Sequence, residues 1–231
     1  GKEETIKKFA KQLNAGVYTY ELNSQFRCNG SDGYIAWLDN ILEIRETANF
    51  DIDGFDYEFK VFDDPNELRN AIEDKNKINN KSRIVAGYCW EWPKINRTNP
   101  NYNDIIIPEY NFEMSWNLDG SEIFALGKNT VKQAGCIHTT QGLEFDYVGV
   151  IIGNDLRYEN DHIITDHTKR AKTDSSLKGL NLYPKEEQYE IADEIIKNTY
   201  RTLMTRGMKG CYIYCTDKNL QNYFKERLNK E

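Results

Sequence analysis

The sequence predicts an α/β fold, a mainly parallel sheet flanked by helices, and three observations carry that prediction. Strand-like runs alternate with stretches of helical periodicity, the order that right-handed βαβ crossovers produce. Tyr147 to Ile152 is an unbroken apolar run, as expected of a strand buried on both faces. Asp64-Pro65-Asn66-Glu67 combines a capping acid, proline at the first helical position and glutamate three residues after the cap, which together start a helix.

The elements follow in order. Lys2 to Leu13 carries Ile6, Phe9, Ala10 and Leu13 at helical spacing, and Val17 to Leu22 alternates like a strand. The turn Asn29-Gly30-Ser31-Asp32-Gly33 caps a helix that bears Ile35, Trp37, Leu38, Ile41 and Leu42. Tyr57 to Phe62 reads as a strand, the helix from Pro65 runs through Leu68, Ala71 and Ile72 towards Asn76, and Ser82 to Gly87 reads as the next strand. From about 88 to 130 the periodicity fails among Trp, Pro, Asn and Asp, so an irregular insertion is expected, with short strands around Ile105 and Phe112. After the apolar strand, Arg157 to Pro184 reads as a mobile, irregular segment of mixed charge. A helix from Glu186 to about Met204, a strand from Cys211 to Cys215 and a helix from Lys218 to Leu228 complete the pattern.

At 231 residues, with 39% hydrophobic and 13% aromatic residues, the chain has enough apolar surface for one large domain and is not globally disordered. A net charge of −7 argues against a stand-alone binder of phosphate backbones, though a local basic groove remains compatible with it. The five cysteines show no close-paired zinc spacing; Cys136 and His138 supply two donors where a tetrahedral site needs four, so no metal is expected. Reduced thiols, no signal-peptide core and no membrane-length apolar run together predict a cytoplasmic protein.

Three segments carry the chemistry. Gln25-Phe26-Arg27, His138 to Asp146 and Thr205-Arg206-Gly207 each set polar groups beside a turn or an element end. An arginine fork suits a terminal phosphate because its charge is permanent and its geometry bidentate. Gly142 lets a backbone approach a ligand closely, and Glu144 can accept from ribose hydroxyls. In a parallel sheet ligands gather at loops leaving the carboxyl ends of the strands; Arg27 lies just past the first predicted strand, Gln141, Gly142 and Glu144 lie just before the apolar strand, and Arg206 ends a helix. No Gly-x-x-x-x-Gly-Lys-Ser/Thr loop occurs; Gly127-Lys128-Asn129-Thr130 lacks the first glycine and the spacing.

Leu22 to Arg27 resembles motif IV of superfamily 1 helicases, which ends in an aromatic followed by arginine. His138 to Asp146 resembles their motif V with its Gly-x-Glu-Phe-Asp core, and Tyr200 to Gly210 resembles motif VI. Arg83 to Trp92, Gly149 to Gly153 and Asn198 to Arg201 resemble, more specifically, the Schlafen group 3-like DNA/RNA helicase family.

This resemblance implies a RecA-like fold of the P-loop NTPase type without its own phosphate loop, the second RecA-like domain of a helicase, spanning 1–231. It implies that ATP and Mg²⁺ are bound only with an N-terminal RecA-like domain of the same protein, expected upstream of Gly1, and that DNA or RNA is the other partner. Arg27 and Arg206 would reach the γ-phosphate. Gln25, Phe26, Gly142 and Glu144 would contact the nucleotide, Phe26 packing on adenine. His138, Thr139 and Thr140 would lie towards the nucleic-acid strand. Gly207 stands where the superfamily usually has alanine. Without a phosphate loop the fragment alone is expected to be inactive.

Two other classes fit parts of the sequence. A RecA-like scaffold could bind protein or nucleic acid without turnover. Asp53, Asp56, Glu58 and Lys60, with Glu58 and Lys60 on one strand face, resemble the acid and lysine arrangement of metal-dependent nucleases, and cross-strand salt pairing explains them equally well. Trp90, Trp92 and Trp116 suit either base stacking or the filling of an aromatic cluster.

Overall fold

The structure is a computed structural model that describes residues 32–52, 56–91, 98–99, 101–116, 124–137, 139–140, 142–172 and 174–228. Its elements are α1 (Asp32–Ile41), β1 (Glu58–Val61), α2 (Pro65–Asn79), β2 (Ser82–Ala86), β3 (Ile105–Ile107), β4 (Phe112–Trp116), β5 (Gln133–Gly135), β6 (Phe145–Ile152), β7 (Leu156–Glu159), β8 (His162–Thr165), α3 (Lys185–Met204), β9 (Gly207–Cys215) and α4 (Lys218–Leu228). The helix and strand expected at Lys2 to Leu13 and Val17 to Leu22 lie outside the described residues.

Among the described residues, seven strands form one sheet in the order β1-β9-β6-β2-β5-β4-β3, and β7 pairs with β8 as a separate hairpin. All pairings in the large sheet are parallel except that of β3 with β4. The central strands β6 and β2 are covered on both sides, which explains the continuous apolar run of β6. One face packs Trp37 and Leu38 of α1, Tyr200 and Leu203 of α3 and Phe224 of α4 against Val148, Val150 and Ile213. The other packs Leu68 and Ile72 of α2 against Ile84, Ile151 and Tyr212. A mostly parallel sheet with helices on both faces is the RecA-like α/β architecture that the sequence predicted.

Local chemistry sets the boundaries. Asp64 caps α2 by accepting from the Asn66 amide at 2.8 Å, with Pro65 at the first turn. The helix runs one turn past Asn76 and closes on Asn80 in the left-handed region, φ 59°. The irregular stretch at 88–130 contributes β3 and β4 to one sheet edge, and its return is clamped by Arg83. That buried guanidinium donates to the carbonyls of Phe124, Ala125 and Gly127 at 2.9, 3.3 and 3.1 Å. Burial lowers the Arg83 pKa to about 10. The Gly127-Lys128-Asn129-Thr130 turn is therefore a clamped corner, with Thr130 donating to Phe124 and Gly127 carbonyls.

Three boundaries differ from expectation. β9 starts at Gly207, four residues before Cys211, because it pairs with the start of β6 although Gly207-Met208-Lys209-Gly210 lacks apolar alternation. β5 has three residues and no periodicity to betray it. The 157–184 stretch, expected as an irregular mixed-charge segment, begins with the β7–β8 hairpin and is tied down by buried ion pairs. No helix among the described residues is long and apolar enough to cross a membrane.

Candidate functional site

The second and third chemistry-bearing segments meet in space. Phe145 and Gly207 are register partners in the β6–β9 pair, so Glu144 and Arg206, each one residue earlier, stand at the same end of adjacent strands. That end is the amino edge of the sheet. Glu144 lies just before the apolar strand, as its sequence position indicated, and Arg206 follows the end of α3. Both immediately precede strands, so a parallel sheet puts both where its strands begin, opposite the edge at which such sheets usually take ligands.

The corner carrying Arg206 is held by its backbone. The hydroxyl of Tyr34 donates to the Met204 carbonyl at 2.8 Å, that of Tyr57 to the Gly207 carbonyl at 3.0 Å, and the Phe145 amide to the Arg206 carbonyl at 2.9 Å. Arg201, one turn before the end of α3, forms a buried ion pair with Asp39 of α1. Gly207 fits because a side chain does not: a Cβ there would lie 2.1 Å from the Gly210 carbonyl oxygen. Arg206 itself is fully buried.

From Cys136 to Glu144 the chain crosses from the carboxyl end of β5 to the amino end of β6. Its first half is an internally bonded turn: the Cys136 carbonyl accepts from the Thr140 amide and hydroxyl at 3.2 and 2.8 Å and from the Thr139 hydroxyl at 3.1 Å, while the Cys136 amide donates to Thr139 Oγ1 at 2.7 Å. Thr140 is buried, and its hydroxyl braces the turn. Its second half is open. Gly142 is exposed with φ +72°, a conformation that favours glycine, and a Cβ there would touch nothing within 4 Å. Glu144 is exposed. Asp146 anchors the strand start, accepting from Asn79 at 2.7 Å and pairing with Lys209 at 3.5 Å.

Gln25, Phe26, Arg27 and His138 lie outside the described residues. Trp116 is buried edge-on to Tyr88 in the core, and Trp90 packs against the same cluster, so the aromatic-filling reading holds for both; Trp92 lies outside the described residues. Glu58 pairs with Lys60 of its own strand at 2.8 Å and stands 3.9 Å from Lys75 of α2, so its salt pairing runs along the strand and to a helix rather than across strands; Asp53 lies outside the described residues. Among the described residues there is no group of three or more His, Cys, Asp or Glu suited to a metal ion.

Sequence reasoning missed a second centre, at the carboxyl edge of β6. Arg170 is buried there, donating to Asp155 and to Asp174 at 3.1 Å each, to Ser176 at 2.6 Å and to Thr199 at 3.2 Å. Tyr200 donates to Asp155 at 2.5 Å and accepts from the Gly153 amide at 3.1 Å. Burial alone would lower the Arg170 pKa, but the two carboxylates reverse this and keep it charged. Burial pushes the Tyr200 hydroxyl well up, so it stays a neutral donor. The crevice where open α/β sheets usually take ligands is therefore filled by an ion cluster. The signal was the charge of Arg170 beside Asp166 and Asp174, which in sequence looks the same as a solvated loop.

The chain matches the family described as Schlafen group 3, DNA/RNA helicase domain, over residues 1–217. An uncharacterized protein of Saccharomyces cerevisiae is 26% identical over 221 residues, covering 87% of this chain and 46% of the yeast protein. The chain thus spans about half the length of that relative. No solved structure matches.

Proposed function

The chain belongs to the Schlafen group 3, DNA/RNA helicase domain family, and on that premise we propose that it is the second RecA-like half of an ATP-dependent helicase or translocase. In this reading an N-terminal RecA-like domain supplies the phosphate loop and the Mg²⁺-binding acids. Closure of that domain onto the amino edge brings ATP against Glu144, Gly142 and Arg206, with Gln25, Phe26 and Arg27 completing the nucleotide side. Arg27 and Arg206 then stabilise charge on the transferring phosphoryl group. His138 and Thr139 face the DNA or RNA strand, and Thr140 keeps their turn in shape.

The observation that carries the reading is the Phe145–Gly207 pairing, which aligns Glu144 with Arg206 although 62 residues separate them in sequence. The 136–144 loop runs from that edge to the opposite one, so it links a nucleotide contact to a strand contact through one short backbone. Arg206 is buried, so engagement of ATP requires this corner to repack as the domains close. The same burial favours a second reading, a RecA-like scaffold that binds without turnover.

ATP hydrolysis by the longer protein carrying the upstream phosphate-loop domain separates the two. Removal of an arginine that stabilises the transferring phosphoryl group costs on the order of 10³ in kcat. Arg27→Ala and Arg206→Ala are each expected to lose turnover on that scale while the fold is retained. Equal turnover in both variants would leave the scaffold reading standing.

A further inference from the structure

We propose that a pocket beside the Arg170 cluster binds the phosphodiester backbone of single-stranded nucleic acid, with Lys172 and Lys178 as its phosphate contacts and Tyr189 as a stacking platform at its rim. The inference rests on the functional reading above in taking nucleic acid as the polymer that is moved. It adds a site beyond the residues that reading uses.

The cavity has a volume of about 520 Å³, enough for a nucleotide unit, and His167, Lys172, Lys178, Asn181, Ser175 and Gln188 line it. Its frame is rigid. Arg170 forms part of the wall, fixed by Asp155, Asp174, Ser176 and Thr199. Asp166 caps the turn that carries His167 by accepting from the Thr168 amide at 3.0 Å, and Gln188 donates to the Tyr183 carbonyl at 2.7 Å.

Its charge runs against that of the whole chain. The protein carries −7, yet the lining sets Arg170, Lys172 and Lys178 against a single acid. Lys172 and Lys178 are exposed, and neither forms an ion pair among the described residues. The one carboxylate in the lining, Asp174, is engaged by Arg170. Glu91 holds the loop by accepting from the Lys172 backbone amide at 2.9 Å, which leaves the Lys172 ammonium group at the surface. Like charges held together on a fixed frame repel one another unless an anion neutralises them, and a phosphate chain neutralises several at once.

Two further observations favour a strand over a free phosphate. Tyr189 and Leu182, next in sequence to the lining residues Gln188 and Asn181, are 50% and 84% exposed, so a flat ring and an apolar side chain stand at the surface in the segments that form the pocket. The pocket also shares an edge with the Cys136–Thr140 turn. The Tyr88 ring lies 5.1 Å from the Arg170 guanidinium and belongs to the same buried cluster as Cys136, whose carbonyl holds Thr139 and Thr140. A strand following this edge passes both.

Fluorescence anisotropy of a labelled single-stranded oligothymidylate and an oligouridylate, titrated with the chain at several salt concentrations, tests the proposal. Lys172→Ala combined with Lys178→Ala should weaken binding roughly tenfold and reduce the log–log salt slope by about 1.4, at ~0.7 per lost phosphate contact. Tyr189→Ala should weaken binding about tenfold with the slope unchanged. Lys77→Ala combined with Lys128→Ala removes the same charge elsewhere and should leave affinity and slope at parental values. Circular dichroism melts show that the variants fold. The site is overturned if the parent chain does not bind, or if the pocket pair matches the control pair. Competition by pyrophosphate at equal concentration, abolished in the pocket pair, would make it a small-anion site and overturn the strand assignment. The assay contains no ATP, so its failure leaves the arginine roles untouched, and their failure leaves its result untouched.

Discussion

Replacing Gly207 by alanine introduces the residue that the resemblance to superfamily 1 helicases leads one to expect here, and the geometry says that it will damage this protein. The added Cβ would lie 2.1 Å from the Gly210 carbonyl oxygen and 3.0 Å from the Val148 amide nitrogen, and ordinary contact begins near 3.4 Å. Both obstacles are backbone, so no side chain can swing away. The start of β9 must move by roughly 1 Å, an overpacking change worth about 2 kcal/mol. That movement also strains the Phe145 amide bond to Arg206, now 2.9 Å, for about 1 kcal/mol more. At ~2–4 °C per kcal/mol for a chain of this size, the melting temperature should fall by roughly 6–12 °C. Gly142→Ala is the internal comparison: its Cβ meets nothing within 4 Å, and only the left-handed backbone at φ +72° opposes it. That costs about 1 kcal/mol. Differential scanning calorimetry measures both. A Gly207→Ala melting temperature within about 2 °C of the parent, or above that of Gly142→Ala, would refute the steric argument.

Three further outcomes follow from the same structure. Arg83→Lys, which keeps the charge but not the fork, should cost about 3 kcal/mol by stranding the carbonyls of Phe124, Ala125 and Gly127, and hydrogen exchange should speed up across 124–130; unchanged exchange there would contradict the clamp. Burial raises the Asp166 carboxyl, but Thr168 and Arg157 outweigh it and hold its pKa below the ordinary 3.8, so its ionised form adds stability above pH 3.8 that is lost as pH falls through the folded value. Asp166→Asn should therefore lower the melting temperature at pH 7 by about 2–4 °C, with a gap that closes on acidification below 3.8; a gap independent of pH would contradict this. Thr140→Val removes the buried hydroxyl bonded to Cys136 at 2.8 Å and should cost about 1 kcal/mol in urea unfolding, whereas Thr140→Ser should cost less; equal losses would show that the hydroxyl is not the brace.

Much of the fold was legible because its signals are local. The Asp64-Pro65 start of α2, the apolar β6 and the helical spacing of α3 depend on neighbours a few residues apart, and each formed as expected. What could not be read depends on pairing. β5 is three residues held by β2 and β4, and the first residues of β9 are strand only because β6 lies alongside. The ion cluster of Arg170, Asp155 and Asp174 defeated a reading by composition, since charge in sequence carries no mark of burial. For the candidate site, residue types pointed to Glu144 and Arg206, which stand at the edge opposite the one where open parallel sheets usually take ligands. Both precede a strand, and that order in the sequence already fixes the amino edge once the strands are known to be parallel.

The proposed division of the domain into a nucleotide edge and a strand edge is open to one direct measurement, amide hydrogen exchange of the longer protein carrying the proposed N-terminal domain, with a non-hydrolysable ATP analogue or with a single-stranded oligonucleotide. The nucleotide should slow exchange at 142–145 and 205–208 and leave 172–181 unchanged. The oligonucleotide should protect 139–140 and the pocket segment 174–181 first. Protection of the pocket segment by nucleotide, with none at 142–145, would contradict the account.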